Sequence, residues 1–388
     1  MMRRHPLKIE MVLPSLARAG MEVMAMRLTR ALAGRGYDVG VTCLESSGEL
    51  ADELIAGGHR VTIVPAPGLL SNLRAPALEA WFGTHRVDVV HVHSGAWLKT
   101  ARAARRAGVS CVVHTVHGLL DREPWHGAAQ KRWAARYTNR IAAVSEPLRR
   151  HLIDDVRLDP AKVSVIPNGL DTAHFAPGAP SGIVRAALDI AEGTLVLGTV
   201  ARLSPVKNQR LLLDAFAIVH HRMPDAHLVI VGEGPLRAAL EEQIRALGLD
   251  GAAHLFGAVG DVAPVCREFD LFVLPSIAEG TSMSILEAMS SGVCVVATAV
   301  GGTPDLLAHG RCGVLVPPND PVALAAAMTD TLLDQDRRRR LAAAAREHAI
   351  ARYSEAAMLR AYEALYHGRA PDGGETSEPL TESDVCVG

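Results

Sequence analysis

Short apolar runs rich in Val, Ile and Leu alternate with segments of helical period through most of the chain. That alternation is the pattern of βα units whose strands are buried on both faces of a parallel sheet. In the first half it predicts strands over Leu7–Leu13, Asp38–Leu44, Arg60–Val64, Asp88–His93, Cys111–Val116, Ile141–Val144 and Val163–Ile166. Helices fall between them, for example over Glu22–Ala33 and Leu98–Ala107. The stretch Pro167-Asn168-Gly169-Leu170-Asp171, continued by Pro177, Gly178 and Pro180, breaks the rhythm with turn residues and reads as a hinge. A second series follows, with strands over Leu195–Val200, His227–Val231, Ala253–Phe256, Leu271–Leu274, Cys294–Thr298 and Gly313–Val316 and helices over Gln209–His221 and Pro235–Leu247.

The pattern therefore predicts an α/β protein with two Rossmann-like, doubly wound parallel-sheet domains, over 1–172 and 173–352. An amphipathic segment, Ser354–Tyr366, is expected to form a terminal helix over 353–367 that packs back on the first domain. Residues 368–388 are rich in Pro, Gly, Ser, Thr and acids and are expected to be a disordered acidic tail.

Composition narrows the class of function. A chain of 388 residues with 49% hydrophobic and 21% charged residues has material for two globular cores. Aromatic residues are only 4%, which argues against the stacking platforms that single-stranded nucleic acid needs. No nucleic acid partner is expected. The cysteines Cys43, Cys111, Cys266, Cys294, Cys312 and Cys386 are scattered without a Cys-x-x-Cys pair, as in a reduced compartment. The amino terminus is too short and too charged for a signal peptide, and no run reaches the roughly 20 apolar residues of a membrane span. A cytoplasmic protein is expected, with peripheral contact at the inner face of the membrane left open.

Charge is uneven although the net is only −2. Residues 1–170 carry 23 Lys and Arg against 15 Asp and Glu, whereas residues 171–388 carry 17 against 27. Solvated helix faces account for such an imbalance. The sharper alternative is an anionic acceptor or membrane met by Arg102, Arg105 and Arg106 on one helix and Lys131, Arg132, Arg136 and Arg140 around another.

Open α/β sheets bind ligands at the carboxyl ends of their strands, so the residues just after strands carry the candidate chemistry. Arg202 and Lys207 follow Leu195–Val200 and could clamp a pyrophosphate, Arg by its planar fork and Lys as a point charge. Two ordinary surface cations beside a loop are the plain alternative. After Leu271–Leu274 come Glu279, then Thr281 to Ser284 at a helix start suited to phosphate, then Glu287 in the first turns of that helix. The carboxylates suit sugar hydroxyls, which donate hydrogen bonds. Glu287 could instead simply favour the helix dipole. His114 and His117 lie near the end of Cys111–Val116, on opposite faces if extended, and His117 is the one placed to reach a ligand. His91 and His93 share one strand face and keep a small metal-site alternative open, although no third ligand is placed by sequence. Gly20, after the first strand, would let backbone approach a ligand closely.

Two missing motifs weigh against neighbouring chemistries. The only near match to Gly-x-Gly-x-x-Gly is Gly232-Glu233-Gly234, with Arg237 where the third Gly belongs, which disfavours a dinucleotide dehydrogenase. No Asp-x-Asp stands at a strand end to hold a metal-bound diphosphate, since Asp334-Gln335-Asp336 lies in a helix-rich stretch.

Taken together, Arg202 with Lys207, the Glu-x7-Glu pair Glu279 and Glu287 within EGTSMSILEAMSSGVCVVAT, the following VGGTPD, the hinge IPNGLD and the later GVLVPPND resemble the retaining family-4 glycosyltransferases of GT-B fold. The likeness runs to about Tyr366. It implies two domains facing across a cleft and transfer of a sugar from a UDP- or GDP-linked donor, with no cofactor and no metal at the site. By the same resemblance Arg202 and Lys207 hold the diphosphate, Glu279 the donor sugar and Glu287 the ribose. Backbone N–H groups near Met283 and Ser284 meet the phosphates, Gly257 edges the nucleobase, Gly20 faces the β-phosphate and His117 lies at the reacting centre. The acceptor is expected to be a glycan, a lipid-linked sugar or a small molecule. Ala19 departs from the family's usual glycine pair in the first loop, and Ser282 and Ser284 stand where small or apolar residues are common. A sugar-nucleotide epimerase on the same fold, or a non-catalytic sugar-nucleotide-binding subunit, are the competing readings. Donor identity, acceptor and oligomeric state are not encoded in any readable pattern.

Overall fold

The computed structural model describes residues 6–17, 20–68, 70–118 and 127–369. Ala19 and the acidic tail from residue 370 onward, Cys386 included, lie outside the described residues. The chain forms two compact units, residues 1–169 with 355–388, and residues 170–354.

The first unit holds a seven-stranded sheet of β1 (Lys8–Leu13), β2 (Asp38–Cys43), β3 (Arg60–Ile63), β4 (Val89–His93), β5 (Cys111–Val116), β6 (Arg140–Ala143) and β7 (Val163–Val165) in the order β3-β2-β1-β4-β5-β6-β7. The second holds a six-stranded sheet of β8 (Val196–Val200), β9 (His227–Val231), β10 (Ala253–Gly257), β11 (Leu271–Leu274), β12 (Val295–Thr298) and β13 (Val314–Val316) in the order β10-β9-β8-β11-β12-β13. All pairings are parallel. Every strand read from the apolar pattern is present, and both sheets are doubly wound with helices between strands. The helix expected from Pro235 starts later, at Arg237.

Alternation along each strand divides two cores per sheet. In the first unit Ile9, Met11, Val89 and Val113 lie on one face, and Val12, Val90, Val92 and Val112 on the other. In the second, Leu197, Leu228 and Val273 oppose Val196, Val229 and Phe272. The helix Glu355–Tyr366 belongs to the first unit. Its stripe Met358, Leu359, Tyr362, Leu365 and Tyr366 is buried with Ile9, Met11 and Val113, at the i, i+1, i+4, i+7, i+8 spacing of one helical face. Arg35 reinforces it with an ion pair to Glu363 at 2.9 Å.

The basic side chains offered by sequence to an anionic surface are largely engaged inside the first unit. Arg102 donates to the Asn72 carbonyl at 3.0 Å and lies 4.8 Å from the centre of the Trp133 ring. Arg105 donates to the carbonyls of Tyr137 and Ser110 and to Asn139 Oδ1 at 2.6 Å. Arg106 reaches Glu79, Arg132 the Val156 carbonyl and Arg140 the Gly368 carbonyl. Their aliphatic stems and hydrogen bonds tie neighbouring helices and loops together, which sequence periodicity does not disclose. Among the described residues no helix is long and apolar enough to cross a membrane.

Candidate active site

In an open parallel sheet the crevice forms where the strand order reverses. In the second unit that point is the β8/β11 neighbourhood, because β9 and β10 extend one way from it and β12 and β13 the other. Arg202 and Lys207 follow β8; Glu279, Met283, Ser284 and Glu287 follow β11. These residues therefore share the carboxyl edge of two adjacent strands although more than 70 positions separate Lys207 from Glu279.

The loop after β8 is braced on both sides of Arg202. Ala201 N–H donates to the Val231 carbonyl and Leu203 N–H to the Glu233 carbonyl, each at 3.0 Å. Gly232 permits this approach: at φ 137° a Cβ there would stand 2.1 Å from the Ala201 carbonyl oxygen. The buried Gln209 amide donates to the Arg202 carbonyl at 2.9 Å, while the Arg202 residue itself is exposed. A single 3-10 turn, Pro205–Lys207, then carries Lys207 inward, and Asn208 at φ 53° turns the chain into the helix Gln209–Arg222.

Lys207 and Glu279 meet directly. Lys207 Nζ donates to Glu279 Oε1 at 2.6 Å, and Ser276 Oγ donates to the same oxygen, also at 2.6 Å. The Glu279 side chain is 7% exposed and that of Lys207 23%. Ile277 N–H donates to the Val206 carbonyl at 2.9 Å, stitching the β11 loop to the β8 loop, and Thr298 Oγ1 donates to the Ser276 carbonyl at 2.5 Å. The turn after β12 closes on the same loop, with Gly302 N–H 3.4 Å from the Glu279 carbonyl. Gly301 has to be glycine there, since at φ 52° a Cβ would lie 1.7 Å from that carbonyl oxygen. Both bonds to the carboxylate fall on Oε1, so Oε2 is the oxygen they do not use.

Ser282 precedes the helix Met283–Ser290 in extended conformation but its side chain makes no cap hydrogen bond; its Oγ lies 3.3 Å from Ser284 Oγ. First-turn N–H groups have no intrahelical acceptor, so the helix start presents donors and a partial positive charge at this edge. Glu287 is the fifth residue of the helix and half-buried, a turn beyond the donors. Gly257 ends β10 at φ 89° and its carbonyl accepts from Gly232 N–H at 2.8 Å, placing it beside the loop that braces Arg202.

In the first unit the strand order reverses between β1 and β4. Gly20 opens the helix Gly20–Gly34 after β1, and His117 directly follows β5, the neighbour of β4. His117 Nε2 lies 2.9 Å from His93 Nδ1, with the rings stacked at 5.2 Å and 27°. Burial pushes the His117 imidazole down to about 4, so it is neutral near pH 7. His114 faces the other side, stacked at 4.0 Å on Trp97 and bonded to the Val92 carbonyl. Burial lowers it to about 3. His91 bonds Tyr366 Oη and Thr115 Oγ1, each at 2.8 Å. These protein bonds occupy the nitrogens that a metal at His91 would need, and among the described residues no group of three or more His, Cys, Asp and Glu side chains could hold a metal ion.

Sequence reasoning singled out Lys207 and Glu279 separately and missed that they form one ion pair. It also missed Ser276 as a support of Glu279, and it singled out His93 as a metal alternative and not as the partner of His117. The signal available for both was position, Ser276 two residues past β11 and His93 at the end of β4.

Residues 182–348 match the family described as Glycosyl transferases group 1, and residues 18–174 match Glycosyltransferase Family 4. The chain is 31% identical over 318 residues to the UDP-Gal:alpha-D-GlcNAc-diphosphoundecaprenol alpha-1,3-galactosyltransferase of Escherichia coli, covering 78% of this chain and 82% of that protein. A glycosyltransferase structure from Rickettsia africae superposes with a TM-score of 0.82 at 22% identity, covering 94% of this chain and 98% of the other. Anabaena HepE in complex with UDP and glucose superposes with a TM-score of 0.75 at 25% identity, covering 92% and 98%.

Proposed function

This chain belongs to glycosyltransferase family 4, and from that premise we propose that it transfers the sugar of a UDP-sugar to an acceptor hydroxyl, with retention at the anomeric carbon and without a metal ion. The observation that carries the reading is the convergence of Lys207, Glu279 and an uncapped helix start at the switch point of the second sheet. The choice of uracil nucleotide is supported by the E. coli relative, named for UDP-Gal, and by HepE, seen with UDP.

Transfer breaks the bond between the anomeric carbon and the β-phosphate oxygen, and the electron pair leaves with the nucleoside diphosphate. Arg202, Lys207 and the N–H groups of Met283 and Ser284 would stabilise that growing charge more than the ground state, as fixed donors do in a site that need not reorganise. The acceptor oxygen bonds the same face of the sugar, and its proton passes to the departing phosphate. Glu279 would hold sugar hydroxyls, Glu287 the ribose, Gly257 the base edge and Gly20 the β-phosphate, while His117 serves the sugar or acceptor. Lys207 has a further role once its pairing with Glu279 is considered: it holds the carboxylate in place until phosphate competes for the ammonium.

The acceptor is a hydroxyl of a glycan, a lipid-linked sugar or a small molecule, and the lipid-linked acceptor in the name of the E. coli relative supports the second class. The surplus positive charge of residues 1–170 would add weak, salt-sensitive attraction to an anionic surface. A thermal-shift comparison of UDP, GDP and ADP tests the donor: UDP at 100 times its dissociation constant should stabilise by about 2.7 kcal/mol. Stabilisation by GDP or ADP alone would overturn the uracil assignment. Incubation with UDP-sugar alone should yield only slow hydrolysis, and an epimerised sugar nucleotide would replace transfer by the epimerase reading.

A further inference from the structure

The histidines of β4 and β5 form a row whose members differ in one respect. His91 and His93 lie two apart on β4 and so share a face, and parallel pairing sets His93 beside Thr115. His91 is fully satisfied: Nδ1 meets Tyr366 Oη at 2.8 Å and Nε2 meets Thr115 Oγ1 at 2.8 Å, while Thr115 Oγ1 is also 3.0 Å from Tyr362 Oη. The terminal helix thus holds the back of the row. The His91 ring in turn packs 4.3 Å from His93, fixing that ring in place. His93 is fully buried, its Nδ1 lies 2.9 Å from His117 Nε2, and its Nε2 is buried without any hydrogen-bond partner.

That orphaned nitrogen decides where the protons are. Burial keeps both His93 and His117 neutral, so each ring carries one N–H and one lone pair. If His93 were protonated on Nε2, a donor would be buried with nothing to receive it, and a buried unpaired N–H is among the rarest and costliest features of a folded interior. If it is protonated on Nδ1, the donor is used and only a lone pair is left unmatched. His117 must then accept at Nε2, which puts its own proton on Nδ1.

We infer that His93 is a positioning residue: it donates Nδ1–H to His117 Nε2, locking His117 in the Nδ1–H tautomer so that His117 offers its ligand a hydrogen-bond donor and no base. Among the described residues the His117 ring makes no second hydrogen bond, which leaves Nδ1–H to an oxygen of the sugar, phosphate or acceptor. This rests on the role given to His117 above, and it excludes His117 as the group that deprotonates the acceptor hydroxyl, consistent with a proton that goes to the leaving phosphate.

The test begins with the full-length protein labelled with ¹⁵N-histidine, at pH 7.5 with and without UDP. Long-range ¹H–¹⁵N correlations, assigned by their loss in His117→Ala, should show His117 Nδ1 protonated and Nε2 as a bare acceptor. A protonated Nε2, or an even mixture of tautomers, would overturn the inference. Two variants then separate positioning from packing. His93→Asn keeps an amide donor where Nδ1 stands, whereas His93→Leu removes it. Turnover should fall on the order of tenfold to a hundredfold in His93→Leu, with KM for the UDP-sugar little changed, and be mostly recovered in His93→Asn. Equal activity of the two variants counts against the proposal, and if His93→Leu does not fold, the tautomer spectrum of wild type and His93→Asn decides it alone. His117→Ala within a few-fold of wild type would instead sink the role of His117 itself while leaving the tautomer result standing.

Discussion

Acidification should destabilise the first unit well before the carboxylates titrate. His91, His93, His114 and His117 all lie on or just after its strands β4 and β5, and burial holds all four below the ordinary histidine value, to about 3 for His114, about 4 for His117 and well below it for His91 and His93. In the unfolded chain each would titrate near 6.5. Because the folded values lie below the unfolded one, the unfolded state binds the extra protons, so this stability is full above about pH 7.5 and is lost as pH falls. Between pH 7.5 and 5.5 the linkage amounts to about 1.4 kcal/mol per histidine, or about 5 kcal/mol for the four, against a typical domain stability of about 5–15 kcal/mol. The assay is selective without labelling, since all 4 tryptophans, Trp81, Trp97, Trp125 and Trp133, lie in residues 1–169. Urea unfolding followed by tryptophan fluorescence should show a midpoint that drops steeply from pH 7.5 to 5.5. His114→Phe, which keeps a ring against Trp97 but cannot titrate, should recover about 1.4 kcal/mol of that loss. An unchanged midpoint across this range would refute the claim that these imidazoles are held neutral by burial.

Arg202→Ala or Lys207→Ala should each lower turnover by about two to three orders of magnitude, the cost of losing one preorganised donor at a developing charge, and steady-state kinetics with activity within a few-fold of wild type would remove the clamp assignment. Glu279→Gln should depress transfer strongly while UDP affinity, read by calorimetry, stays within a few-fold or rises, because Lys207 loses the carboxylate that competes with phosphate. Gly301→Ala should destabilise the second unit by about 1–3 kcal/mol, as overpacking does, whereas Gly260→Ala, with open space around its Cβ, should change stability by under about 0.5 kcal/mol in scanning calorimetry. EDTA should leave the wild-type rate unchanged, and a loss restored by magnesium or manganese would refute metal independence.

Strand positions and the doubly wound class were legible because the apolar runs of β1 to β13 and the helical periods between them are local properties, set within a few residues of chain. The candidate residues were legible for a related reason: a parallel sheet delivers its loops to one edge, so the residue types found just after β8, β11 and β5 could be examined as a group. Helix starts were less visible, as at Arg237, because Pro235 and its glycine neighbour occupy a turn pulled against Leu203 by contacts distant in sequence.

By itself the sequence determined the alternation of strands and helices, the break between two sheets and the chemical identity of the groups at their carboxyl ends. The tertiary structure alone decided which of those groups touch. Lys207 meets Glu279 because β8 and β11 became neighbours across the reversal of strand order, and His93 meets His117 because β4 and β5 pair in one register. The arginines of the first unit turned inward for the same reason, finding carbonyls on elements about 30 residues away. Such pairings depend on strand order and side-chain packing, which are settled by burial over the whole unit, whereas periodicity records only what each segment would bury if given a partner.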